Sequence, residues 1–376
     1  MKRSEVERVP AARAAVDKEW DKLANTKHPD GKGVGAWDLK SVRESADVRK
    51  EAREAGATVH FGTVAELCFQ KNSELDDSDP LKVYKGRHLF LGDQVKDQDF
   101  DWAVFEQLGS SPPTFESARA LDAVSLQPGD GQEAYEETQS DGLSAYTQAF
   151  LGGSRKGGTP TWVRLPRHRW PKEWEGKYKD PMVLMIVALY GHPDSGGYWE
   201  RFCTEGVQKC GWTPVDGWDS VFWHKESKAM LVVYVDDFKM ASRKRDTARL
   251  WSELIKHIAL DDPAPPDRFL GCYLERFKCS VKDVKQMLAN NPALHPRGQD
   301  TQHPLLLGDP NKMVEGYTYN MEKYLSSSVD QYCALANIDR KSLRKVNTPF
   351  VDEAQEPRTE KSIHTKGPAT PTSATA

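Results

Sequence analysis

Residues 230–240, Met-Leu-Val-Val-Tyr-Val-Asp-Asp-Phe-Lys-Met, form an apolar run that two adjacent aspartates interrupt and that then resumes. Alternation over Leu231–Val235 predicts a β-strand, and Phe238–Ala241 its return partner. Asp236 and Asp237 would then sit at the tip of a tight hairpin. Two neighbouring carboxylates repel each other and are costly to desolvate. A divalent cation relieves both penalties, and hard oxygen ligands suit Mg2+. A solvated turn accounts for the same pair, because Asp is a common turn residue.

Working outward, residues 4–24 carry Val6, Val9, Ala12, Val16, Trp20 and Leu23 near helical spacing, and 40–56 is helix-prone up to Gly56. Strands are predicted at 63–69, 84–91 and 268–277. Helices are predicted at 115–123, 196–210, 247–259 and 320–336. The tail from 351 to 376 lacks apolar periodicity and is expected to be disordered. The stretch 162–174 interleaves Trp162, Trp170 and Trp174 with Arg164, Arg167, His168, Arg169 and Lys172. That composition suits base stacking and phosphate contact, and equally a proline-rich solvated connector.

The chain has 376 residues, of which 38% are hydrophobic, and a mean hydropathy of -0.68. Its longest apolar run, Met182–Tyr190, is far short of a membrane span, and Met1 leads into charged residues rather than a signal peptide. Six cysteines suit a reduced compartment, and their spacing fits packing better than zinc. The formal charge of -4 does not exclude a nucleic-acid partner, since polyanion affinity comes from local basic fields.

Tyr-Val-Asp-Asp between apolar strands resembles the polymerase hairpin of the reverse transcriptases of copia-type LTR retrotransposons. The likeness continues in collinear order. Tyr84-Lys85-Gly86-Arg87-His88-Leu89 with Gly92-Asp93-Gln94 is similar to the family's fingers segment. Gln139-Ser140-Asp141 with Ala145-Tyr146 resembles the strand carrying its first catalytic aspartate. Ala188-Leu189-Tyr190-Gly191 with Trp199-Glu200, Asp219 to Phe222, Phe269-Leu270-Gly271 and Val346 to Pro349 follow in the family's order. Ser140, Gly142 and the run 192–197 depart from its pattern.

The resemblance implies an α/β (α+β) right-hand polymerase fold with an antiparallel palm sheet, fingers and a partial thumb. The implied divisions are 1–60, an N-terminal helical extension or part of the fingers; 61–135, fingers; 136–280, palm with the Tyr-Val-Asp-Asp hairpin; 281–350, thumb or connection; and 351–376, a disordered tail. It implies RNA- and DNA-directed DNA polymerase activity on a primed RNA or DNA template with dNTPs, using two Mg2+ ions or Mn2+. Asp141, Asp236 and Asp237 would hold the metal, which lowers the pKa of the attacking 3′-hydroxyl and offsets leaving-group charge. Lys85 and Arg87 would meet the triphosphate, and Tyr146 the ribose. Tyr190 and Gly191 would lie beneath the nascent base pair, with Tyr234 and Val235 below the primer terminus. His192 is expected on an exposed loop, without a role. Family context implies a virus-like particle in the cytoplasm, or the nucleus. The alternative is a catalytically inactive element remnant.

Overall fold

The computed structural model describes residues 1–72, 79–80, 82–105, 112–152, 158–290 and 308–344. The expected tail at 351–376 and the Val346–Pro349 match lie outside these residues. Two compact units are present, Met1–Asn320 and Met321–Ala376. The architecture is mixed α/β, with three sheets among the described residues that are almost wholly antiparallel.

The N-terminal helix divides into α1 (Arg3–Val6) and α2 (Pro10–Ala24), because Pro10 lacks an amide hydrogen and starts a helix better than it continues one. The first sheet contains β1 (Trp37–Glu44), β2 (His60–Lys71), β3 (Val83–Phe90), β5 (Thr161–Arg164) and β6 (Pro181–Met185) in the order β1-β6-β5-β2-β3. The β2/β5 pairing is parallel. Helix α3 (Ser45–Ala55) closes on Gly56 at φ 60, so the predicted helix 40–56 begins as strand β1. Residues 161–185, expected within the 136–280 division, therefore join the sheet of β2 and β3.

The second sheet runs β4-β10-β9-β8-β7. Its strands are β4 (Tyr135–Asp141), β7 (Thr213–Pro214), β8 (Val221–His224), β9 (Ala229–Tyr234) and β10 (Asp237–Arg243). Strand β9 is apolar throughout because both of its faces are covered. Leu231 and Val233 pack with α5 (Ser195–Lys209) and α6 (Lys244–Ile255). Met230 and Val232 pack towards α4 (Phe115–Ser125). A strand buried on both sides shows a continuous apolar run rather than alternation.

The predicted strand 268–277 is instead a hairpin, β11 (Arg268–Phe269) turning into β12 (Cys272–Ser280). Leu270 and Gly271 take φ 50 and φ 80, positive values at both central positions as in a type I′ turn. After α7 (Val281–Asn290), strand β13 (Met313–Asn320) completes this third sheet. The second unit carries α8 (Glu322–Ala336).

The Trp/Arg stretch is folded into the first sheet. Trp174 is buried, Arg164 pairs with Asp180 at 2.6 Å, and Arg169 reaches both Asp17 and Glu66 at 2.7 Å. Burial opposes ionisation of Glu66, but His88, Arg169 and His168 outweigh it and hold the carboxyl down at about 2. These cations are committed internally. His192 is likewise buried, not exposed. Its Nδ1 accepts the Asp194 amide at 3.2 Å, Thr161 Oγ1 lies 3.2 Å from Nε2, and Phe90 stacks 4.7 Å away. Burial, with His60 nearby, lowers its pKa to about 3, so the ring is neutral and acts as core packing.

Candidate active site

Strands β9 and β10 are joined by a two-residue turn, Val235-Asp236, since Tyr234 pairs directly with Asp237. Asp236 therefore occupies the turn, and Asp237 begins the return strand, which starts one position earlier than the sequence pattern suggests. Val235 takes φ 56, and a positive φ at the first turn position alone follows the type II′ pattern, where glycine is usual. For a β-branched residue this is strained. Two hydrogen bonds hold it there. The Trp199 indole N–H donates to the Val235 carbonyl at 2.6 Å, and the Gly142 amide donates to the Asp236 carbonyl at 2.6 Å.

Strand β4 pairs with β10 so that Asp141 lies opposite Asp237. Residues almost a hundred positions apart in sequence thus bring three carboxylates to one sheet end. Burial, then Asp236 and Asp141, push the Asp237 carboxyl up to about 6, with Arg268 opposing. Burial, Asp236 and Asp261 raise Asp141 in the same direction. Directly opposed like charges destabilise a strand pair, so this end of the sheet favours a proton or a cation.

Asp141 borders two clefts. One, of about 270 Å3, also receives Asp236, Lys85, Arg87 and Tyr190, joining β3 of the first sheet to the acids of the second. The other, of about 890 Å3, receives Asp237, Tyr234, Arg268 and Tyr273. Arg87 stands over the Tyr190 ring at 5.4 Å, and Tyr190 meets Tyr146 edge-on at 4.6 Å. Burial, followed by the Asp236 charge, raises the Tyr190 hydroxyl to about 12. Tyr146 lies on a 3-10 turn, Ala145–Gln148, rather than on an α-helix. Gly191, at φ 87, packs against the Phe90 backbone, where a Cβ would collide with the carbonyl oxygen. Its close approach is to this chain's own strand. Val235 lines a separate small pocket with Tyr146 and Trp199.

Neither family models nor curated proteins match this chain.

Asp261 is a site acid that sequence reading missed. Its amide donates to the Asp141 carbonyl at 2.9 Å, and its carboxyl lines the smaller cleft. The nearby bridges Gln139↔Ala264 and Gly142↔Leu260 lay this segment along β4, a tertiary pairing that local pattern does not encode. Among the described residues, no three His, Cys, Asp or Glu side chains form a ready-made metal site. Mg2+ is usually held by one or two carboxylates together with waters and substrate phosphates. Asp141 and Asp236, both facing the cleft that contains Lys85 and Arg87, fit that mode. The described cysteines are unpaired by disulfides and several are buried, in keeping with packing. No helix among the described residues is long and apolar enough to cross a membrane.

Proposed function

We propose that this chain is a template-directed DNA polymerase of the reverse-transcriptase kind, built on a right-hand polymerase fold and related to copia-type retrotransposons. One observation carries the reading: Asp141 and Asp236 share a cleft with Lys85 and Arg87, although the acids and cations come from different sheets. Nucleotidyl transfer needs carboxylates where charge develops and cations where a triphosphate lies. The substrates would be dNTPs and a primer annealed to RNA or DNA. Mg2+ or Mn2+, when bound, would acidify the primer hydroxyl and offset charge on the departing pyrophosphate.

In this mechanism Asp141 and Asp236 hold the cation and fix the reacting end of the nucleotide. Lys85 and Arg87 balance the triphosphate, Arg87 steadied by the Tyr190 ring. Tyr146, which lines the separate pocket with Val235 and Trp199, acts on the sugar side through its edge-on contact with Tyr190. Tyr234 and Asp237 face the larger cleft, where a primer terminus would enter. The Asp237 carboxyl, pushed up to about 6 by burial and the neighbouring acids, gains its negative charge gradually as pH rises through that value.

The runner-up is a catalytically inactive relative that at most binds nucleic acid. It is favoured by Ser140, Gly142 and the run 192–197, which depart from the family's pattern, and by the formal charge of -4. Primer extension on an annealed RNA template with dNTPs and Mg2+ separates the two. Extension by the natural chain, lost by at least about a hundredfold in Asp236→Asn, is the expected result. No extension from folded protein across metals and salts would establish the inactive reading.

A further inference from the structure

Helix α2 contributes two side chains to the smaller cleft that the nucleotidyl-transfer reading leaves without a task, Glu19 and Lys22. Glu19 Oε1 lies 3.7 Å from the Arg87 guanidinium, with 18% of its side chain exposed against 33% for Arg87. No hydrogen bond joins them, so the ion pair is loose. Lys22 and Lys85 have no carboxylate partner among the described residues. Burial and the charges of Arg87, Lys71 and Lys22 depress the Lys85 ammonium, with Glu19 acting in the opposite direction. Three cations, Lys22, Lys85 and Arg87, thus converge where α2 and β3 meet the cleft, with Glu19 among them, while Asp141, Asp236 and Asp261 line its other side. Uncompensated ammonium groups around a concave site attract a polyanion, most strongly one with several phosphate oxygens.

We infer that α2 completes a polyphosphate subsite, in which Lys22 joins Lys85 and Arg87 as a binding cation and Glu19 is the resident counter-ion that the incoming phosphates displace. The inference rests on the nucleotidyl-transfer reading for its physiological ligand, a nucleoside triphosphate, but its chemistry requires only the polyphosphate. Glu19 then sets a threshold. A ligand with a single phosphate exchanges one ion pair for another, whereas a triphosphate also engages Lys22 and Lys85. The cleft therefore discriminates by phosphate number before any base is inspected.

The test is calorimetric titration of the full chain with inorganic tripolyphosphate in Mg2+ buffer, without primer or template. Lys22→Gln should weaken binding about two- to fivefold, and Glu19→Gln should tighten it by a similar factor, the range expected for partly exposed charges. Lys225→Gln, a change of equal charge on the β8–β9 turn, should leave it unchanged. No binding by the natural chain, or equal affinities for the Lys22 and Glu19 variants, overturns the inference. Primer extension with the same proteins keeps the two proposals apart. Binding that follows the expected order without extension sinks the polymerase reading alone. Extension with an unaltered KM for dNTP in Lys22→Gln and Glu19→Gln sinks the subsite alone.

Discussion

Asp237 illustrates how a single carboxyl couples the site to stability. Its folded pKa of about 6 stands above its ordinary 3.8, so the folded state binds the extra proton. The sign of the linkage follows: the associated stability is present in full below pH 3.8 and lost as pH rises through 6. The group is only partly buried, which reduces the effect to on the order of 1 kcal/mol. Thermal melts should show Asp237→Asn raising the melting temperature at pH 8 and having little effect at pH 3.5. Unchanged melts at both values would contradict the crowding of these acids. The paired aspartates and Asp141 were legible in the sequence because a motif marks them. Glu19, Lys22 and Asp261 were not, because only tertiary packing carries them to the cleft. His192 was misread because a Pro/Gly/Ser context signals a loop but is silent about burial. Its ring is enclosed by aromatic side chains that lie far away in sequence.

At the scale of elements, the β9–β10 hairpin depends on α5. Trp199 is buried and its indole N–H anchors the carbonyl of the strained Val235. Replacing it by Phe keeps most of the ring and removes the hydrogen bond, at a stability cost of about 1 kcal/mol. If the turn positions Asp236, kcat for primer extension should fall about tenfold while KM for dNTP changes little. A fall in stability with kcat intact would make Trp199 purely structural. Strand β10 has a second anchor two residues beyond the acids. The fully buried Lys239 pairs with Asp122 of α4 and lies 2.9 Å from Glu137 of β4, while Tyr319 of β13 donates to Asp122. Burial pushes the Glu137 carboxyl up and Lys239 opposes that shift. Lys239→Met would leave two buried acids without a cation, a change expected to cost about 3–5 kcal/mol. Chemical denaturation measures it directly, and a loss below 1 kcal/mol would mean that water reaches the cluster. The strand was legible from its apolar run, but the burial of the lysine within it was not. Its role depends on two acids that the sequence separates by more than a hundred residues.

For the whole molecule, the helices α4, α5 and α6 and the strands β2, β3, β9, β10 and β12 followed from local pattern, while the other strands and the grouping of strands into sheets did not. Periodicity reports which face of a strand is covered, but strand partners are set by long-range pairing. The β2/β5 pairing and the return of β10 to β4 have no local signature. The expected boundary near residue 135 is crossed accordingly, since β5 and β6 complete the first sheet after β4 has already entered the second. A fragment ending at residue 150 should lack cooperative unfolding and near-ultraviolet circular dichroism, as measured in solution. A cooperative melt for that fragment would show that β2 and β3 are stable without β5.

The interleaving of the two sheets also orders events on the ribosome. The β2–β3 hairpin emerges with one edge unsatisfied and must wait for β5, while β4 emerges meanwhile and must wait longer still for β10. During synthesis, then, two open strand edges coexist on one nascent chain, and exposed edges of this kind are templates for mispairing. Translation speed across residues 141–237 should therefore influence the yield of native protein, even though it alters no residue of the finished cleft.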